Sequence, residues 1–170
     1  MNSKEKTNPL VSVNMVVYNG EKYVIEAIKS ILNQTYKNFE FIIINDGSTD
    51  LTEQIIKSFS DERIKYYEHD KNYGQCIARN TAIKKSSGEY IAILDADDIS
   101  FPTRFKEQVV FLENNKKYGL IGSMAEVIDE NGKSKGYTQS RSYSAEETKV
   151  LLLFRNCTTP STFMCRTDKL

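Results

Sequence analysis

Four short apolar runs, most of them followed by a stretch of helical periodicity, limit what this chain can fold into. The runs are Leu10 to Val17 (LVSVNMVV), Phe39 to Ile44 (FEFIII), Ile64 to Tyr67 and Tyr90 to Leu94. Each is bounded and rich in β-branched or aromatic residues, as strands are. The first is apolar except at Ser12 and Asn14, which predicts a strand buried on both faces, the kind found in parallel sheets. Between the runs lie three helical segments. Val24, Ala27, Ile28, Ile31 and Leu32 fall on one apolar stripe. Asp50 and Glu53 have the spacing of a capping box, with Leu51, Ile55 and Phe59 lining the helix behind it. The segment from about Gln75 to Lys85 presents Ala78 and Ala82, small enough to pack closely on a sheet. Ser86-Ser87-Gly88 ends it, with Gly88 suited to a left-handed C-cap.

The remainder departs from this rhythm. Phe101-Pro102-Thr103 opens a helix with Phe105, Val109 and Leu112 inward. Leu120 to Ile128 reads as a strand, and Asn131-Gly132 is a strong hairpin signal. Ser144 and Glu147 form a second capping box before Val150, Leu151 and Leu152, and Ser161 to Cys165 is a last short strand. The alternation predicts an α/β layered domain with a mostly parallel sheet and a mixed edge. Its 170 residues suffice for one domain, residues 10–170, preceded by a polar tail from Met1 to Pro9 expected to be disordered.

Three polar clusters directly follow apolar strands: Tyr18-Asn19, Asn45-Asp46-Gly47 and Asp95-Ala96-Asp97-Asp98. Open α/β sheets bind ligands outside the carboxyl ends of their strands, where strand order reverses, so these clusters are the candidate site. The carboxylates of Asp95, Asp97 and Asp98 repel one another and lose solvation at the rim of a core. A divalent cation relieves both, and oxygen-only ligands suit Mg²⁺ or Mn²⁺ better than Zn²⁺. The plainer alternative is an acidic turn in which Asp98 or Ser100 caps the next helix. Tyr18 has an equally plain alternative as a cover for a strand end, and Arg79 as a solvated helix residue.

Some classes are excluded, and one rival, a phosphotransferase, is kept as an alternative. Tyr18-Asn19-Gly20-Glu21-Lys22-Tyr23 is not a dinucleotide fingerprint and no Walker A motif occurs. Phosphate must then be held by other means, most simply a metal with Arg. A haloacid-dehalogenase-type phosphotransferase also places Asp-x-Asp after an apolar strand. It expects Thr or Val where Ile99 stands, and it carries the motif on the first strand rather than the fourth. Basic and acidic residues balance at 23 each, which gives no general pull toward nucleic acid or anionic membrane. Cys76, Cys157 and Cys165 have no metal-like spacing, and an odd count argues for reduced thiols in a cytoplasmic setting. Cys76 reads as a packing residue, and His69, between Glu68 and Asp70, as a surface residue. No apolar run approaches the roughly 20 residues of a membrane span; peripheral association with the inner membrane face stays open.

Six motifs in order give the chain a resemblance to a known family. Val11-Ser12-Val13 through Val17-Tyr18-Asn19-Gly20, Ser30 to Thr35, Asn45 to Asp50, Ala78-Arg79-Asn80, Gly88 to Ile91 and Asp95 to Asp98 together resemble a family 2 glycosyltransferase of the GT-A fold. The resemblance implies a Rossmann-like three-layer sandwich and inverting transfer of a sugar from a nucleotide-diphosphate donor, UDP-sugar favoured, to a saccharide or lipid-linked acceptor. It implies donor contacts from Tyr18, Glu21, Asp46, Arg79, Asp95 and Ala96, with Asp46 hydrogen-bonding the base and Asp95 the ribose. It gives Asp97, with Asp98 beside it, the Mn²⁺ or Mg²⁺ that bridges the phosphates. Asn45 stands where many relatives have Asp, with little effect expected. The family's general base is expected beyond Leu170, on an acceptor segment that this chain is expected to lack, so no base is assigned. A nucleotide-binding fragment without transfer activity is the alternative from another class.

Overall fold

The computed structural model describes residues 8–138, 144–151 and 159–169. Most of the expected tail, together with Leu152 and Cys157, lies outside the described residues. Asn8 and Pro9, grouped with the tail on composition, instead dock on the domain. Their carbonyls accept from Asn38 Nδ2 at 2.6 Å and Tyr36 OH at 2.5 Å.

A six-stranded sheet forms the middle layer. Its strands are β1 (Val11–Val17), β2 (Phe39–Asn45), β3 (Ile64–Glu68), β4 (Tyr90–Ile93), β5 (Leu120–Ile121) and β8 (Met164–Arg166), in the order β3-β2-β1-β4-β8-β5. The first four are parallel, and β8 runs antiparallel between β4 and β5. Helices α1 (Val24–Leu32), α2 (Thr52–Lys57) and α4 (Arg104–Asn114) bury Ile28, Ile31, Ile56, Phe105 and Leu112 against one face. Helix α3 (Gln75–Lys85) lays Ala78 and Ala82 on the other face, against Ile42 and Ile44. Chain direction explains the split. From β1 to β3 the sheet grows one way, and the next connection returns past β1 to β4. A right-handed crossover in the reverse direction must pass over the opposite face.

Several local expectations give way to tertiary contacts. Gly88 has no left-handed backbone. Its need is room, because a Cβ there would lie 2.7 Å from Leu10 O and Ser12 N. The Asp50–Glu53 capping box does not form. Helix α2 starts one residue later, behind an exposed Leu51, and Glu53 pairs with Lys57. Asp50 instead accepts from the Thr52 and Glu21 backbone N–H groups. Neither Asp98 nor Ser100 caps α4, whose N-cap is Thr103. The expected strand Leu120 to Ile128 divides into β5 and β6 (Glu126–Ile128). After two residues at the sheet edge the chain leaves to pair with β7 (Ser134–Tyr137) in a separate hairpin. The expected strand Ser161 to Cys165 begins only at Met164, after a 3₁₀ turn over Pro160–Thr162. The second capping box does form. Ser144 and Glu147 exchange both backbone bonds at the start of α5 (Ala145–Leu151).

Candidate active site

The carboxyl ends of β1, β2 and β4 meet where strand order reverses, between β1 and β4. The loops after β1 and β2 are stitched together there. Asn19 N–H donates to Ser48 Oγ and Gly20 N–H to Thr52 Oγ1, while Thr49 N–H and Leu51 N–H donate to Asn19 Oδ1 and Glu21 Oε2. The exposed Glu21 thus has one carboxylate oxygen committed to the loop. Tyr18 stands on this platform with its side chain 48% exposed. Asn45 is fully buried, holding Ser48 N–H, Tyr66 OH and Glu68, a role that asks for an amide able to donate and accept.

Asp46 is only 2% exposed. Its carboxylate accepts from Tyr73 N–H at 3.1 Å and Gly74 N–H at 2.8 Å, and lies 2.6 Å from His69 Nδ1. Burial raises the affinity of this carboxyl for a proton, but the His69 pairing and the two backbone donors outweigh it and hold the group below the usual carboxylate range. Gly47 allows the close approach. Its φ is +72°, and a Cβ would lie 2.4 Å from the Lys71 carbonyl carbon.

Across the crevice Arg79 Nη2 donates to Asp95 Oδ1 at 2.8 Å, so Arg79 is not simply solvated. Asp95 N–H donates to Ser161 Oγ at 2.9 Å, and the same hydroxyl bonds the Asp98 carboxyl. Asp97 and Asp98 keep solvent contact beyond Ala96. The pocket walls partly desolvate the Asp98 carboxyl and raise its pKa; Asp97 and Asp95 add to this, and Ser161 and Arg104 oppose it. Arg104 is buried beneath this loop and donates to the Ile93 and Phe163 carbonyls at 2.9 and 3.0 Å. Burial pushes its pKa down to about 10, against the pull of Asp98. A cavity of about 410 Å³ opens beside Asp97 and Asp98, with Ile99, Phe101, Met124 and Ile128 among its walls. Among the described residues no group of three carboxylates, imidazoles or thiols closes around one point.

All eight residues singled out from sequence thus lie on α3 or on the loops that follow β1, β2 and β4, and of them Asp97 and Asp98 line the cavity. Sequence reasoning missed His69, Ser161, Arg104 and Gln34. His69 is no plain surface residue; its side chain is largely buried against Asp46. Being the one histidine was its only signal, and the flanking acids disguised it. Cys76 is exposed rather than packed, because Ala78 and Ala82 take the inward face of α3.

The family model for glycosyl transferase family 2 matches residues 12–170. The chain belongs to this family. That membership leaves the phosphotransferase alternative without support. An uncharacterized glycosyltransferase of Methanocaldococcus jannaschii is 40% identical over 166 residues, covering 95% of this chain and 57% of its own. The putative glycosyltransferase EpsE of Bacillus subtilis is 41% identical over 129 residues, covering 74% and 46%. The chain spans about half the length of these relatives. Among solved structures, S. aureus TarS 1-349 in complex with UDP matches with a TM-score of 0.70 at 25% identity, over 92% of this chain and 46% of that one. The mannosyltransferase PcManGT from Pyrobaculum calidifontis, in complex with GDP-Man and Mn²⁺, has the same fold, with a TM-score of 0.64 at 24% identity over 73% and 37%. The GT-A fold expected from the motifs is therefore present. Among the described residues no helix is long and apolar enough to cross a membrane.

Proposed function

We propose that this chain supplies the donor side of an inverting glycosyltransferase that takes a UDP-sugar with a divalent metal. The observation that carries the reading is the convergence of Asp46, Asp95, Asp97 and Asp98 at the sheet's switch point, with Asp46 buried and held ionised. In this reading the Tyr18 ring covers one face of the base. Asp46 can only accept hydrogen bonds, and three of its roughly four acceptor sites are filled. The fourth takes a ring N–H, which uracil offers at N3 and guanine at N1, whereas N3 of neutral cytosine is itself an acceptor. TarS has been crystallised with UDP and with UDP-GlcNAc, which favours uracil. Asp95 accepts from a ribose hydroxyl beside Ala96, and Arg79 turns from Asp95 toward the diphosphate.

Asp97 and Asp98 fit Mn²⁺ or Mg²⁺ as a partial ligand set, because such ions take one or two carboxylates and complete their shell with phosphate and water. When bound, the metal stabilises the negative charge of the departing nucleoside diphosphate. The apolar-walled cavity beside these carboxylates suits the acceptor, a saccharide or a lipid-linked one. No base is assigned within the chain.

Calorimetry of UDP, GDP and CDP, with and without Mn²⁺, tests this reading. We expect UDP to bind most tightly, CDP at least tenfold more weakly, and Mn²⁺ to strengthen UDP binding. Tighter binding of CDP would overturn the base assignment, and indifference to Mn²⁺ the metal assignment.

A further inference from the structure

The Asp46–His69 pair sits under the crevice with an arrangement of protons that the donor reading does not require. An ionised carboxylate only accepts, so the 2.6 Å contact places a proton on His69 Nδ1. The other ring nitrogen, Nε2, lies 3.2 Å from Thr81 Oγ1. The hydroxyl proton of Thr81 is already given to the Ile77 carbonyl, at 3.1 Å. While that bond holds, Thr81 turns a lone pair toward the ring, which Nε2 meets when it carries a proton as well. A ring that donates from both nitrogens is the imidazolium, and this surrounding has an acceptor placed for each proton.

The surroundings suit a cation. Asp46 faces the ring from the end of β2, and Glu68 lies next to it on β3. From the following loop come Asp70, Lys71 and Tyr73. The Tyr73 ring stands edge-on to His69 at 5.4 Å, its hydroxyl bonded to Asp70 and the Lys71 ammonium 5.2 Å from its centroid. On α3, Thr81 makes the contact, while Arg79 turns to Asp95 and Lys85 to the Tyr67 ring. Loss of the Nε2 proton would set two lone pairs against each other until Thr81 rotated away from Ile77.

We propose that His69 is a positioning residue for base recognition: as an imidazolium it fixes the buried Asp46 carboxylate with one lone pair open to a base N–H, so that uridine-nucleotide binding depends on the protonation of one ring. The inference rests on the donor reading above. It adds a dependence that a fixed acceptor at Asp46 would not show.

His69 is the only histidine, so its imidazole signals identify themselves in a nitrogen-15 spectrum of the full chain. The comparison is UDP affinity with Mg²⁺ across the pH range over which that ring titrates, in wild type, H69N and H69F. Asn keeps a donor for Asp46 and cannot titrate. UDP's own phosphate titrates alike in all three proteins, so the difference between profiles is the readout. We expect wild-type affinity to fall relative to H69N as the ring loses its proton, with coincident midpoints. H69F, which removes the one side-chain donor to Asp46 and leaves its two backbone donors, should lose roughly tenfold in affinity, and thermal unfolding of each variant separates this from loss of fold. If H69F does not fold, the wild-type and H69N profiles decide alone. Identical profiles for those two, with UDP bound by both, would overturn this inference alone. Absence of uridine-nucleotide binding by wild type, with or without metal, would overturn the donor reading and this inference with it.

Discussion

At the scale of single residues, the carboxylates divide by burial and partners rather than by residue type. Asp46 is buried and satisfied by donors, so it stays ionised. Asp97 is exposed and near its like-charged neighbours, which leaves it open to a cation. Asp97→Asn should therefore remove most of the Mn²⁺-dependent gain in UDP affinity and change binding little without metal. Calorimetry with Mn²⁺ and with chelator checks this, and an equal Mn²⁺ gain in both proteins would sink the assignment. Arg104 illustrates the reverse arrangement, a buried cation satisfied by carbonyls. Replacing it with Leu strands the Ile93 carbonyl, at a cost of about 1–3 kcal/mol for a buried group left unpaired, while the Phe163 carbonyl keeps its bond from Ile93 N–H.

Elements are held in register by side chains that local patterns do not reveal. Gln34, fully buried just after α1, donates to the Ser30 and Phe101 carbonyls and to Ser100 Oγ, and accepts from Phe105 N–H. It clamps the chain between the acidic loop and α4 onto the end of α1. In the sequence, Asn33-Gln34-Thr35 marked the end of a helix and part of a family motif, with no contact assigned to Gln34. We expect Gln34→Ala to destabilise the fold by about 2 kcal/mol or more, since buried partners are left unsatisfied. It should also loosen the segment carrying Asp97 and Asp98, seen as faster amide exchange there. Protection unchanged from wild type would show that the clamp does not order this loop.

For the molecule as a whole, the two ends of the sheet are specialised. The carboxyl end carries the crevice. At the amino end Glu40, buried on β2, ties together three strands and the turn before β4. It accepts from Ser12 Oγ at 2.5 Å, Ser87 N–H at 2.7 Å, Ser87 Oγ at 2.9 Å and Lys65 Nζ at 2.5 Å. Burial alone would raise its pKa, but Lys65, Ser12 and Ser87 together bring it from 4.5 down to about 2. A depressed carboxyl stabilises the fold above its unfolded pKa, and that contribution is lost as pH falls from about 4.5 toward 2. A shift of this size corresponds to about 3 kcal/mol, and the share from half-exposed Lys65 weakens with salt. Urea midpoints for wild type and Glu40→Gln should differ most near neutral pH and converge in acid. A gap independent of pH would show that ionisation of Glu40 contributes nothing.

The sequence by itself determined the elements and the chemistry they end in. Apolar runs and helical stripes report burial directly, because a strand buried on both faces or a helix on one must show it within a few residues. Hence β1, α1, β4 and α3 were legible nearly to the residue, and so was the gathering of Asp46, Asp95 and Asp97 at one edge. Only the tertiary structure decided what each group touches. His69 meets Asp46 across 23 residues, and Ser161 meets Asp95 across 66. Gly88 is needed for the neighbouring strand's backbone rather than for its own conformation. The sheet edge releases the chain after Ile121, although the apolar pattern runs on. Such contacts depend on how distant segments are brought together, and no local periodicity records that.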